Sequence, residues 1–328
     1  MSDKTALPRP PFDPEFAPFL EAMEARGRFR LETAMLPQMR QLDMKEAQLD
    51  EGLRARGLER RSFTVPGHLG EPIALAVVQR IGRTGTAACA YAIHGGGMMF
   101  GHHLGNLDSY DDWLLVHDVV LISPDYRLAP EHPDPYPVED CYAGLVWVAE
   151  HADELGVDAE RILLVGQSAG AGLAAGTALL ARDRRGPAVV GQVLVSPMLD
   201  DRDATLSARQ FDGVGVADRE MTRFGWDAYL GDRRGGDDVS IYAAPGRAND
   251  LTGLPPAYVD CGSTEVFRDE TVAYAGALWA AGVQAELHVW PGAFHGSTSM
   301  MPEAILSRRA VTALHDWTGR LLDPTPSG

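Results

Sequence analysis

Apolar positions along the 328-residue chain follow two regimes. Over residues 16–57 they recur at helical spacing. Phe16, Phe19, Leu20 and Met23 mark one face, and Met35, Met39, Leu42 and Met44 continue the apolar series. From Arg61 onward, short apolar runs alternate with amphipathic stretches. Runs at 62–65 and 73–79 predict a strand pair joined across Gly67 and Gly70. Further runs at 87–93, 119–123, 161–165, 189–195, 256–261 and 286–290 predict strands. Helical spacing over 138–155, a small-residue stretch over 169–182, and apolar series over 270–281 and 302–322 predict the intervening helices. Such alternation argues for an α/β fold, a mostly parallel sheet covered by helices on both faces. Residues 200–238 break the rhythm. They carry many charges, Gly213, Gly215 and Gly225, and one short helical piece over 219–229, but no strand. They read as an insertion that packs with the N-terminal helices over the C-terminal edge of the sheet, where open α/β sheets bind ligands.

Composition narrows the function. Apolar residues make up 45 % and charged residues 23 %, as expected of a globular protein with a sizeable core. A net charge of −17 repels phosphate backbones and argues against nucleic acid as a partner. Cys89, Cys141 and Cys261 are odd in number and lack metal-ligand spacing, so they read as buried free thiols suited to a reducing compartment. Residues 1–18 lack the basic start and apolar run of a signal peptide. No stretch approaches the roughly 18 apolar residues of a membrane helix. The expectation is a cytoplasmic protein with no membrane partner.

Two glycine-rich segments carry chemistry. Gly166-Gln167-Ser168-Ala169-Gly170 follows a predicted strand and opens a predicted helix. That context fits a nucleophile elbow, a sharp turn that presents the serine oxygen above the sheet. Small residues two before and two after the serine relieve the crowding of such a turn. Without this context the same residues would be an ordinary glycine-flanked serine turn. His94-Gly95-Gly96-Gly97 ends another strand. Consecutive glycines allow backbone N–H groups to converge on one oxyanion. A phosphate loop would continue with Lys-Ser/Thr, whereas Met98, Met99 and Phe100 follow here and suit an apolar acyl pocket.

These segments, with Asp125-Tyr126-Arg127-Leu128-Ala129-Pro130-Glu131 between them, resemble the hormone-sensitive-lipase-like esterases, bacterial family IV. The resemblance runs in order from about residue 87 to the closing helix. It implies an α/β-hydrolase fold with an eight-stranded core over 58–328, a helical cap over 1–57 and the second cap insertion near 200–238. It further implies hydrolysis of short- to medium-chain carboxylic esters, no cofactor and no metal. The oxyanion donors it implies are the N–H groups of Gly96, Gly97 and Ala169, and a homodimer follows from the same likeness. Gln167 stands where many members carry Asp or Thr. Tyr126 and Arg127 read as braces beneath the elbow.

In this fold the triad order is serine, acid, histidine. His295 lies in a loop just after the strand at 286–290, at the same sheet edge as Ser168. His288 and His315 fall inside a strand and a helix, while His102 and His103 could line the pocket. The acid is sought in 262–270, which resembles the family's Asp-x-Leu-x-Asp-Glu segment. Glu265 occupies its first acidic position, and its longer side chain can still orient an imidazole. Asp269 and then Asp260 remain alternatives. The same triad would also serve lactones, carbamates or amides, and a hydrolase-like receptor without turnover is the reading outside enzymes.

Overall fold

The computed structural model describes residues 7–27, 30–41 and 46–322. Eight strands form one sheet: β1 (Leu58–Pro66), β2 (Pro72–Arg80), β3 (Ala87–Ile93), β4 (Val120–Pro124), β5 (Val157–Gln167), β6 (Gly191–Val195), β7 (Ala257–Gly262) and β8 (Ala285–Trp290). Their order is β1-β2-β4-β3-β5-β6-β7-β8. β2 runs antiparallel to both its neighbours, and the other pairs are parallel. The α/β class, the eight strands and the parallel core agree with the sequence reading.

β3, β4, β6, β7 and the second half of β5 are largely buried on both sides because helices cover both faces. On one face, Tyr136–Glu150, Ala169–Arg184 and Arg268–Ala280 contribute Val138, Leu173, Ala175 and Leu278 to the larger core cluster. On the other, Glu46–Ala55, Asp111–Leu115 and Ile305–Leu322 supply Leu53, Trp113, Leu114 and Trp317. Strand alternation divides the sheet between them. Leu163 and Val165 of β5 face the second cluster, while Ile162 and Leu164 face the first.

Several boundaries differ from expectation for identifiable reasons. β1 begins at Leu58 rather than 62, because pairing with β2 extends through a charged stretch. Arg60 is held there by Asp50 at 2.8 Å and Glu46 at 2.9 Å, both on the helix Glu46–Ala55. The predicted helix over 138–155 is broken at His151 into Tyr136–Glu150 and Ala152–Leu155. The N-terminal region is several short helices, among them Ala17–Ala25 and Glu46–Ala55, instead of one long series. Leu42 and Met44 of that series lie outside the described residues. The insertion has no strand among its residues, as expected, but two helices, Leu206–Gln210 and Arg219–Leu230. Thr205 and Asp218 cap them by accepting the N–H groups of Ala208 at 3.1 Å and Met221 at 2.9 Å.

Among the described residues no helix is long and apolar enough to cross a membrane. All three cysteines are buried and free.

The segment after β4 is braced, as expected, but through partners other than the elbow. The fully buried Asp140 carboxylate accepts the N–H groups of His68 at 2.8 Å and Arg127 at 3.0 Å, and takes the Arg127 guanidinium at 2.6 Å. Tyr126 donates its hydroxyl to the His94 carbonyl at 2.8 Å, tying this segment to the glycine loop. Asp140→Ala, which leaves two N–H groups without their acceptor and the Arg127 guanidinium with Glu71 as its remaining carboxylate partner, is expected to cost about 2–4 kcal/mol of unfolding free energy in a urea titration. A loss below about 1 kcal/mol would remove this brace from the account.

Candidate active site

The elbow is built by a clash-free crossing. β5 ends at Gln167 and the next helix starts at Ala169, so the chain reverses at Ser168, which adopts φ 57° and ψ −125°. That is a strained backbone for a residue with a side chain. Both flanking glycines are required by contact. A Cβ on Gly166 would overlap the Gly170 carbonyl, and one on Gly170 would overlap the Ile93 carbonyl at the end of β3. The Ser168 N–H is anchored to the Val195 carbonyl of β6 at 2.8 Å.

His295 comes from the loop after β8. Its Nε2 lies 3.0 Å from Ser168 Oγ, and its Nδ1 lies 2.6 Å from Glu265 Oε2. Glu265 follows β7 and its side chain is fully buried. A buried carboxylate is costly unless its lone pairs are satisfied. Here Oε1 accepts the Gly262 N–H at 2.7 Å and the Ser196 hydroxyl at 2.9 Å. The imidazole edge also meets the Phe267 ring, centroids 5.2 Å apart.

The two alternative acids are engaged elsewhere. Asp269 accepts the Ser207 N–H and the Arg268 guanidinium, each at 2.8 Å, and so ties the insertion to the core. Asp260 lies in β7 and accepts Trp290 Nε1 at 3.0 Å and the Tyr258 hydroxyl at 3.2 Å. Burial outweighs these donors and pushes its carboxyl up to about 6.

The N-terminal segment steadies the base. The Asp13 N–H donates to the Gly292 carbonyl at 3.0 Å. Phe16 packs edge-on to Phe294 at 5.1 Å, and Phe19 stacks on it at 5.4 Å. Residue 294 immediately precedes the histidine, so this aromatic cluster fixes the loop from outside.

Ser168 and His295 open onto a cavity of about 440 Å³, within the usual range for small-ligand sites. Gly96, Gly97, Met99 and Phe100 line it, as does His102. Gly96 at φ 108° and Gly97 at φ 61° need the freedom of glycine. Ala169 is buried at the first turn of its helix. Met98 is a correction to the sequence reading: with φ 59° its side chain turns into the core, only 2 % exposed, and does not line the cavity. The roof was missed in detail. Val216, Ala217, Met221 and Gly225 of the insertion line the cavity, with Met198 from the loop after β6 and Met300 from the short helix Ser297–Met300. For the insertion residues the signals in the sequence were the break in strand–helix alternation and the helical piece over 219–229.

His94 is a brace beside this cavity. Burial pulls its imidazole down to about 4, so it is neutral near pH 7. It stacks on Tyr126 at 4.2 Å, and its Nδ1 lies 2.8 Å from the Gly95 carbonyl. Among the described residues, His102, His103 and Asp125 alone form a cluster with metal-ligand types close together. The two rings stack 4.5 Å apart at 22°, and His102 Nδ1 accepts the Leu104 N–H at 3.1 Å. His103 Nδ1 lies 2.9 Å from an Asp125 carboxylate oxygen.

Comparison with known proteins agrees with this architecture. A family model described as alpha/beta hydrolase fold matches residues 90–299. Carboxylesterase NlhH of Mycobacterium tuberculosis is 40 % identical over 213 residues, covering 62 % of this chain and 64 % of that protein. The chain thus spans less than two thirds of that relative's length. Among solved structures, a bacterial heroin esterase superposes with a TM-score of 0.84 at 37 % identity, covering 95 % of this chain and 98 % of that one. Esterase LipW from Mycobacterium marinum gives 0.77 at 32 % identity, covering 96 % and 93 %.

Substitution distinguishes Glu265 from Asp269, the first of the alternative acids. Glu265→Gln is expected to lower kcat on an activated ester by about 10⁴-fold, as loss of an imidazole-orienting carboxylate does. Asp269→Asn should stay within roughly tenfold of the parent in the same assay, since that carboxylate serves packing and capping. The reverse ranking would reassign the acid.

Proposed function

Because the chain belongs to the α/β-hydrolase family, in its hormone-sensitive-lipase-like branch, we propose that it is a serine carboxylesterase acting on short- to medium-chain esters. The observation that carries this reading is the continuous hydrogen-bonded line from buried Glu265 through His295 to Ser168 at the wall of a cavity. Its relatives include proteins named carboxylesterase, arylesterase and ethyl acetate hydrolase.

In this mechanism His295 Nε2 removes the Ser168 proton as the oxygen attacks the ester carbonyl. Glu265 keeps the Nδ1 proton on the far side of the ring and stabilises the imidazolium. The tetrahedral oxyanion rests on the N–H groups of Gly96, Gly97 and Ala169, each worth on the order of 3 kcal/mol of barrier. His295 then protonates the leaving alcohol. Water, activated by the same imidazole, hydrolyses the acyl-enzyme and restores the serine. No cofactor enters any step. Met99 and Phe100 form part of an apolar wall for the acyl group.

In this reading the residues before the helix Glu46–Ala55 and the insertion at 200–238 act as the cap, whereas that helix, expected in the cap, packs on the second face of the sheet through Leu53. Support for the cap comes from the insertion residues that roof the cavity and from the aromatic clamp on the His295 loop. The buried free thiols suit the cytoplasm. A homodimer is proposed from family likeness, and Trp279 and Val289 are exposed apolar residues near the edge strand β8.

Hydrolysis of a p-nitrophenyl ester series from acetate to long-chain tests the activity. Short esters should turn over fastest, and Ser168→Ala should remove at least about 10³-fold of the rate. Absence of serine-dependent turnover at every chain length would end the esterase reading. Light scattering should return twice the 35.4 kDa chain mass, and cell fractionation should recover the protein in the cytoplasm. A mass equal to the single chain, or recovery outside the cytoplasm, would overturn the corresponding assignment.

A further inference from the structure

A second cavity, of about 460 Å³, lies on the other side of the sheet edge from the roofed cavity. It occupies the space between the second face of the sheet and the helices Asp111–Leu115 and Ile305–Leu322, with Val165, Val193 and Leu314 among its walls. It is as large as the first, and each is big enough for a small ligand. The two share part of their lining: His94, Gly95, Gly105, Asn106, Gln167 and Ser299 belong to both.

Gln167 is the notable member of that shared wall. Strand alternation puts it on the same face as Leu163 and Val165, above the second cavity, while the turn one residue later swings Ser168 away. Its amide has no hydrogen-bond partner among the described residues, although it carries two donor hydrogens and an acceptor oxygen. A half-buried amide adjacent to the nucleophile, without a protein partner, is available to a ligand. The lining of the second cavity also carries Asp108, Asp111 and Asp112, which disfavours an anionic group there.

We propose that the two cavities are two chambers of one substrate site, and that Gln167 selects the arm entering the second. This rests on the esterase reading. The substrate class is an ester whose acyl and alcohol sides are both substantial. One arm fills the roofed cavity. The other is uncharged, largely apolar, and carries an ether, carbonyl or hydroxyl oxygen that takes a hydrogen bond from the Gln167 amide. The residue that departs from the common family pattern is then a specificity determinant.

The test uses two ester series: ethyl esters of ω-phenoxyalkanoic acids, and acetates of ω-phenoxyalkanols. Each is compared with its ω-phenyl counterpart of equal length, in which methylene replaces the ether oxygen. Ethyl acetate serves as the short reference, with acid release followed by pH-stat. In one series, at one or more chain lengths, the wild type should prefer the phenoxy ester in kcat/KM. Gln167→Leu should abolish that preference, a loss of roughly two- to tenfold, expressed mainly in KM. Val193→Phe, which fills the second chamber alone, should cut kcat/KM for the long esters at least tenfold and leave ethyl acetate hydrolysis unchanged. A structure of Ser168→Ala with the preferred ester should show its arm in the second chamber, which keeps the question decidable if Val193→Phe folds poorly. A phenoxy preference absent from the wild type or retained in Gln167→Leu, or an arm located elsewhere, overturns the proposal. So does a parallel loss of short and long esters in a folded Val193→Phe protein. If wild type fails on ethyl acetate and on every long ester, the esterase reading itself has failed, a result distinct from all of these.

Discussion

The site depends on one reversal of the chain, at Ser168. A φ of 57° there is costly, and it persists because its surroundings leave no alternative. β5 is paired on both sides up to Gly166 or Gln167, and the following helix is buried along most of its length. The two elements can meet only where neither Gly166 nor Gly170 has a side chain. The strain is therefore carried by the core. This reversal sets Ser168 beside His295, brings the first turn of a helix to the developing negative charge, and leaves Gln167 facing the opposite cavity.

A second constraint is the burial of Glu265. A carboxylate with no solvent exposure must find its partners within the protein. Gly262, Ser196 and His295 provide them from three loops at the ends of β7, β6 and β8. The group that orients the imidazole is thereby also a cross-link among adjacent strand ends. The N-terminal aromatic residues add an external clamp on Phe294. The proposed cap consequently does more than cover the cavity: it restricts the loop that carries the base.

Local chemistry was the most legible part of the sequence. A glycine-flanked serine between strand and helix, and three glycines after a strand, name their own geometry, because few backbones accommodate such residues. The sheet was legible too, since strands buried on both faces read as apolar runs. Other features depended on distant contacts. Glu265, Asp260 and Asp269 lie within ten residues of one another, and only the third dimension separates a carboxylate on the imidazole from one under Tyr258 and Trp290 and one on Ser207. Met98 looked like a pocket residue beside Met99, yet a left-handed backbone sends it inward. The roof at Val216, Met221 and Met300 comes from separate segments that meet only in the folded chain, and the helical signal over 219–229 did not say which of its residues line the cavity. The charged start of β1 was hidden because cross-strand pairing, with Arg60 bound to Asp50, overrides its composition.

The central claim is that Ser168, His295 and the surrounding N–H groups act together on a carbonyl carbon. Reaction with a fluorophosphonate, followed by peptide mass mapping and structure determination of the adduct, tests it most directly. The account predicts a single adduct on Ser168, formed only when His295 is present. Its phosphoryl oxygen should sit about 2.7–3.1 Å from the N–H groups of Gly96, Gly97 and Ala169. A folded protein that fails to react at Ser168, or an adduct whose oxygen points away from those three groups, would contradict it.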